Sequence, residues 1–154
     1  MKRLSNLLAA LVFASLVIFM SCGGGGDDPA PDPLQDELDN LTVSGGWSQP
    51  STVTTDGGTP DGIWDSFSLS FTGTLSGGNY TVQNVPDGFS DVWANGSWSF
   101  GNDSGTVITK VQNGVTTDMN ATITGTQLRL EFDVTESGAR TSGISGTWVF
   151  TFNL

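Results

Sequence analysis

The chain has 154 residues and a formal net charge of −11, because 16 acidic residues stand against five basic ones. This balance argues against a nucleic-acid partner, since phosphate binding requires clustered lysine and arginine. The chain has no histidine and one cysteine, which excludes Ser-His-Asp and Cys-His nucleophilic sites and histidine-containing zinc sites. Acid–base chemistry is left to Asp, Glu, Tyr80 and Lys110, and we expect a non-enzymatic protein without metal or cofactor.

The first 22 residues contain the parts of a secretory signal in the right order. A basic start at 1–3 precedes an apolar run at 7–20, and Ser21 then precedes Cys22. A basic segment followed by a short apolar run is typical of a signal peptide. A spanning helix needs about 20 apolar residues, so an uncleaved membrane anchor is the alternative.

Residues 19–22, Phe-Met-Ser-Cys, resemble the lipobox of bacterial lipoproteins, which places a small residue directly before the cysteine. The resemblance implies that residues 1–21 are removed and that Cys22 becomes an N-terminus carrying acyl chains such as palmitate. Two or more acyl chains make membrane anchoring stable. The expected location is therefore the bacterial outer membrane, on its periplasmic face or at the cell surface.

The segment 22–33 is predicted to be a flexible acidic linker. Residues 23–33 contain four glycines, three prolines and three aspartates, with no large apolar side chain. Such a composition favours a solvated, extended chain. Glycines and acids soon after the cysteine also resemble the export signals of surface-displayed lipoproteins in Bacteroidota-type bacteria.

A short helix is predicted at 33–39. Asp32 is a suitable N-cap, and Pro33 occupies the first helical position, where its missing N–H is harmless. Leucines then recur at i, i+4 and i+7 from Leu34, which places them on one face. We expect this apolar face to plug one end of the β domain at 34–154.

Beyond residue 41 the apolar period becomes two, and no helix of usual length fits. In 128–134, for example, every second residue is apolar. This alternation predicts an antiparallel sheet with one buried face. The longer connections are expected at 49–62, 85–95 and 135–144. About eight strands are predicted, near 41–48, 63–72, 78–84, 96–101, 105–111, 116–124, 127–134 and 145–153.

Two hairpins can be assigned a register. Asn113-Gly114 favours a type I′ turn, and Gly125-Thr126 suits a type II′ turn. The two turns agree on one inward row of residues. They place Ile108 opposite Met119, Thr106 opposite Ala121, Ile123 opposite Leu128, Ala121 opposite Leu130, and Met119 opposite Phe132.

A Gly-x-Trp triplet occurs at 45–47, 96–98 and 146–148. With the short helix and about eight antiparallel strands, residues 34–154 resemble the lipocalin-like barrels of bacterial lipoproteins. In that family the tryptophan of Gly-x-Trp, here Trp47, packs at the closed end of an up-and-down barrel. The family's Thr-Asp-Tyr motif is absent, and Arg140 is the candidate for its basic residue near the last strand.

Closure of such a barrel places the first and last strands side by side, and Trp47 and Trp148 would then be neighbours in one core layer. The alternative fold is an immunoglobulin-like or jelly-roll β-sandwich, which the same alternation permits.

An eight-stranded barrel has room either for side chains or for one small ligand. The first hypothesis is thus a lipid-anchored envelope lipoprotein whose lipocalin-like domain binds a small apolar molecule. The second is a structural or carbohydrate-binding surface module without a ligand cavity. The candidate pocket residues are Trp47, Phe67, Phe71, Tyr80, Trp98, Met119, Phe132, Trp148 and Phe150.

Two further tryptophans are predicted to lie outside this row. Trp64 has the opposite strand parity to Ile63, and Trp93 lies in the 85–95 connection. Exposed tryptophans can stack on sugar rings, or they can cover the outside or the mouth of the barrel.

Two groups of carboxylates are weaker candidates. Asp56, Asp61 and Asp65 share one loop region, and oxygen ligands suit calcium, although Asp-Gly pairs are also common turn formers. Glu131 and Asp133 share the outward face of one strand at a separation that glycosidase carboxylates also have. Next to Arg129, they are better explained as a solvated strand face.

Overall fold

The structure is a computed structural model. Several expectations concern residues outside the described part of the chain: the signal peptide at 1–21, Cys22, most of the linker at 22–33, Asp61 and Arg140. The described residues are 32–56, 58, 62–135 and 144–154.

Helix α1 spans Pro33–Leu41, two residues more than predicted. The Asp32 carboxylate caps it by accepting a hydrogen bond from the Leu34 N–H at 3.0 Å. Leu38 and Leu41 are buried, so the helix packs by the predicted apolar face.

The chain turns after α1 before it enters the sheet, so the predicted strand at 41–48 is wrong over its first six residues. Leu41 completes the helix, and Gly45 and Gly46 have φ angles of 95° and 69°. Glycine adopts such left-handed angles at little cost. Only Trp47 and Ser48 of the predicted strand join the sheet.

The nine strands of the described residues belong to one sheet, in which every neighbouring pair is antiparallel. The order across the sheet is β1-β3-β4-β5-β6-β7-β8-β9-β2. This is an up-and-down arrangement, since β3 to β9 pair in chain order. The strands are β1 (Trp47–Ser48), β2 (Thr52–Thr55), β3 (Ser68–Thr74), β4 (Gly77–Gln83), β5 (Gly96–Phe100), β6 (Val107–Gln112), β7 (Val115–Ile123), β8 (Gln127–Val134) and β9 (Gly146–Asn153).

Residues 49–51 connect β1 to β2, which lie at opposite edges of the sheet. The Gln49 N–H donates to the Phe67 carbonyl next to β3 at 2.9 Å, whereas the Ser51 N–H donates to the Thr151 carbonyl in β9 at 2.7 Å. One short segment therefore joins both edges, and the sheet curls into a barrel-like fold. The sandwich alternative is wrong, because a single continuous sheet surrounds the core.

The predicted hairpin registers are confirmed where their pairs are described. Ile108 faces Met119 across β6 and β7. Ile123 faces Leu128, and Ala121 faces Leu130, across β7 and β8.

Asn113 and Gly114 have φ angles of 51° and 78°, as a type I′ turn requires. The type II′ assignment at Gly125-Thr126 is wrong, because Gly125 does not have the positive φ of that turn. There the two-residue loop and the apolar alternation determine the register.

Two boundaries differ from the prediction. Residues 63–67 were expected to begin a strand, but they form a turn in which the Phe67 N–H donates to the Trp64 carbonyl at 2.9 Å. Ile63 is 45% exposed, so strand alternation does not extend back to it. Conversely, β2 lies inside the expected 49–62 connection, because its backbone pairs with β9.

Candidate functional site

All nine predicted pocket residues are interior, and none is more than 3% exposed. Eight of them lie on the inner face of the sheet, and Phe67 joins them from the turn before β3. They are Trp47, Phe67, Phe71, Tyr80, Trp98, Met119, Phe132, Trp148 and Phe150.

Aromatic side chains fill the interior around Phe150. Six other aromatic rings lie around Phe150, at centroid distances that are typical of aromatic packing. This part of the barrel is a packed core. Measured from the Phe150 centroid, the other centroids lie at 5.0 Å for Trp64, 5.7 Å for Phe67, 5.7 Å for Trp93, 6.1 Å for Phe132, 6.0 Å for Trp148 and 6.4 Å for Phe152.

Trp64 and Trp93 belong to this core, and the expectation that they are exposed is wrong. They are 2% and 0% exposed. The turn at 62–66 directs Trp64 inward, against the strand parity assumed for it. Trp93 enters from the connection between β4 and β5 and packs edge-on against Phe132, with the centroids 5.2 Å apart. Neither ring offers a surface for stacking on a sugar.

The three tryptophans of the Gly-x-Trp triplets share one bonding pattern. Each indole N–H donates to a backbone carbonyl, which satisfies a buried donor. The indole N–H groups of Trp64 and Trp93, in contrast, have no hydrogen-bond partner among the described residues. The acceptors of the three triplet tryptophans are the carbonyls of Leu41 for Trp47 at 3.0 Å, Thr72 for Trp98 at 3.2 Å and Ile144 for Trp148 at 2.8 Å.

The expected contact between Trp47 and Trp148 is not among the ring contacts of the described residues.

Lys110 on β6 is the most unusual side chain of the interior, because it is only 1% exposed. Its Nζ donates to the Val92 carbonyl at 2.7 Å and, more weakly, to Gln112 Oε1 at 3.4 Å. It also lies 4.4 Å from the ring centroid of Trp93 and 4.1 Å from that of Phe132. Both distances are within the range of cation–π attraction.

Gln112, also on β6, links Lys110 by hydrogen bonds to the segment between β4 and β5. Its Oε1 accepts hydrogen bonds from the Tyr80 hydroxyl and from the Ala94 N–H, both at 3.1 Å. Its Nε2 donates to the Asp91 carbonyl at 2.7 Å. The buried amide thus fixes Asp91 to Ala94 against the sheet and holds Trp93 inside it.

Burial controls the protonation of this cluster. It lowers the pKa of Lys110 to about 7 and raises the pKa of Tyr80 above its ordinary value. The ion pair found among the described residues joins Arg129 to Glu131 on the outside. Within that part of the chain, Lys110 has aromatic faces and neutral oxygens around it and no paired carboxylate.

A cavity of about 280 Å³ opens beside this cluster, where β6 turns into β7 and β8 ends. Thr117 faces Lys110 and Val115 faces Gln112 across the β6–β7 pair, so the cavity lies over the inner side of that hairpin. Its wall contains Lys110, Gln112, Val115, Thr117, Val134 and, from the connection, Asp91.

The position of Lys110 inside the sheet could have been predicted from the strand register. The hairpin register placed Ile108 on the inward row, and Lys110 is two residues further along the same strand. Residues two apart share a face of a strand, so the register itself predicts an inward lysine. The general rule that lysines lie at the surface argues the other way.

The carboxylates that were candidates for calcium binding or catalysis form hydrogen bonds and an ion pair outside the core. Asp56 Oδ2 accepts a hydrogen bond from the Thr147 N–H at 2.9 Å. Asp133 Oδ1 accepts one from the Thr147 hydroxyl at 2.6 Å, and Glu131 pairs with Arg129. No group of three or more His, Cys, Asp or Glu residues in the described part of the chain could hold a metal ion.

Comparison of the chain with protein-family models, with curated proteins and with solved structures found no match. Within residues 32–56, 58, 62–135 and 144–154, no helix is long and apolar enough to cross a membrane.

Proposed function

We propose that this chain is a non-enzymatic, lipid-anchored protein of the bacterial outer membrane whose barrel-like domain is a surface module with a filled interior. The packing of six aromatic rings around Phe150 carries the second part of this proposal. The lipobox-like residues before Cys22 support the first part.

The filled interior favours a structural or interaction module over a carrier of apolar ligands. A fatty acyl chain in the centre of the barrel would have to displace Phe150 or its neighbours. Removing a buried aromatic ring from its contacts typically costs about 3–5 kcal/mol. The apolar-ligand hypothesis therefore needs a rearranged core, whereas the module hypothesis uses the core as it stands.

The up-and-down sheet, the helix before it and Trp47 on the first strand support a lipocalin-like architecture. In this proposal the relationship concerns the scaffold, and the central ligand site has been replaced by side chains. The outer faces of the strands would then provide the contact surface, as they carry the hydroxyl and acidic residues.

The predicted linker would hold this module away from the bilayer. Helix α1 begins at Pro33, eleven residues after Cys22. An extended chain of that length reaches roughly 36–40 Å. The anchor would thus set the location, and the module would remain free to contact partners in the envelope.

Mass spectrometry of the protein purified from its host membranes tests both parts. We expect a chain that begins at an acylated Cys22 and carries no apolar small molecule in stoichiometric amount. The variant Cys22→Ala should move to the soluble fraction, whereas the matched variant Ser15→Ala in the apolar run should remain anchored.

Retention of Cys22→Ala in carbonate-washed membranes would contradict the anchor and favour an uncleaved helix. A co-purifying apolar molecule at one per chain would contradict the filled module instead.

A further inference from the structure

We propose that the cavity beside Lys110 is a covalent binding site, in which the Lys110 amine reversibly captures a small uncharged aldehyde or ketone as an imine. This inference goes beyond the anchored module, which needs no internal chemistry. It rests on the surroundings of the amine, the lining of the cavity and the charges at its rim.

The hydrogen bonds of Nζ can be made by a neutral amine. A neutral lysine has two N–H groups, and two acceptors face it, the Val92 carbonyl at 2.7 Å and Gln112 Oε1 at 3.4 Å. In the neutral form no hydrogen bond uses the nitrogen lone pair, whereas the rings of Trp93 and Phe132 attract the charged form. Lysines desolvated in apolar pockets are the ones that act as amine nucleophiles.

The protonation of Lys110 supports this assignment. Burial lowers its pKa to about 7, so the free amine is a far larger fraction of Lys110 than of an ordinary lysine at neutral pH. An ordinary lysine, with a pKa of 10.5, has roughly one free amine in 3,000 at that pH. Lys110 is also the only lysine of the chain after Lys2, so a reaction there can be assigned without ambiguity.

The cavity selects the class of compound by size and charge. Its volume of about 280 Å³ is at the lower end for ligand pockets, which suits a molecule of a few carbon atoms. Val115 and Val134 offer apolar contacts, whereas Asp91 and Asp133 also line it and would repel anions. An uncharged carbonyl compound fits these surroundings better than a carboxylate.

The proposed step is balanced without another reactant. The Nζ lone pair forms a bond to the carbonyl carbon, and one amine proton passes to the carbonyl oxygen to give a carbinolamine. The C–O bond then breaks, the second amine proton leaves with the oxygen as water, and a C=N bond remains. Addition of water reverses the sequence and releases the compound.

Reductive labelling of the full chain with butanal and cyanoborohydride at pH 7 tests the proposal, because reduction converts the imine into a stable secondary amine. The variant Arg129→Lys provides a matched surface lysine at a side chain that is 40% exposed. Peptide mapping then compares Lys110 with the introduced lysine in the same molecule. We expect Lys110 to be labelled at least about tenfold faster, because more of it is neutral.

Two further arms separate the cavity from other routes to the amine. A pyrene aldehyde, which is too large for the cavity, should label the introduced lysine and leave Lys110 almost unmodified. The variant Val115→Trp, at an exposed position of the cavity wall, should slow butanal labelling of Lys110 alone.

Labelling of Lys110 that is no faster than that of the introduced lysine would overturn the proposal. Labelling that occurs only in denaturant, or equally well with the pyrene aldehyde, would also overturn it, because the amine would then be reached by unfolding.

Discussion

At the scale of single residues, the interior lysine makes the stability of the fold depend on pH. Burying an ammonium group costs free energy unless it is compensated. Lys110 is compensated by the Val92 carbonyl, Gln112 and two aromatic faces. These partners stabilise the charge only in part, since the pKa of the buried amine still falls to about 7.

Stability should therefore rise with pH between about 7 and the ordinary lysine value of 10.5. In this range the unfolded chain binds one proton more than the folded chain, and a higher pH favours the state with fewer protons. The folded protein carries the full cost of the buried charge below pH 7. Above about pH 10, Tyr80 acts the other way, because burial raises its pKa and the unfolded tyrosine ionises first.

The variant Lys110→Met tests this linkage by removing the titrating group while keeping its length. Urea unfolding at pH 6 to 9.5 should show a free energy of unfolding that rises more steeply in the parent chain than in the variant. At low pH the free energy of unfolding of the variant should gain relative to that of the parent chain, since apolar replacement of a buried charge is often neutral or stabilising. Asp91 and Asp133 are present in both chains and cancel in the comparison. Parallel pH profiles would show that Lys110 titrates normally.

At the scale of secondary-structure elements, the β3–β4 hairpin depends on close backbone contact. A Cβ on Gly78 would lie 1.9 Å from the Thr72 carbonyl oxygen, and one on Gly77 would lie 2.3 Å from the Trp98 carbonyl oxygen. Glycine in a strand often marks such an approach. The hairpin can therefore bend into the curled sheet only without side chains at these positions.

The variant Gly78→Ala should lower the free energy of unfolding by about 1–3 kcal/mol, because the added methyl group forces the backbone apart. Gly125→Ala is the matched control, since a Cβ there would meet nothing closer than 3.7 Å. Its effect should stay within about 0.5 kcal/mol. Urea denaturation of both variants gives the comparison, and equal stabilities would contradict the close packing of β3 and β4.

Elements were predictable where local chemistry and periodicity agreed. Asp32 and Pro33 specified the start of α1, and Asn113-Gly114 specified the hairpin between β6 and β7. The prediction was wrong at 63–67, where Ile63 continues the apolar alternation although a turn intervenes. It also missed β2, because a four-residue edge strand of Thr-Val-Thr-Thr has too short a pattern to separate from a loop.

At the scale of the whole domain, alternation predicted a single core but could not distinguish a barrel from a sandwich. The decisive feature is the segment 49–51, where Gln49 adopts a φ of 51°. There the chain passes from β1, which lies beside β3, to β2, which lies beside β9. Residues on both inner faces of a sandwich would show the same period of two. The filling of the core was equally hidden, since Trp93 comes from a connection without periodicity.

The central claim is that aromatic side chains fill the barrel around Phe150. The most direct test is a calorimetric titration of the full chain with palmitate and with benzene, using Phe150→Ala as the positive control. Truncation of a buried aromatic ring leaves an apolar cavity that can hold benzene. We predict that the parent chain binds neither compound and that the variant binds benzene. Stoichiometric binding of palmitate by the parent chain, abolished by Phe150→Trp, would contradict the filled interior.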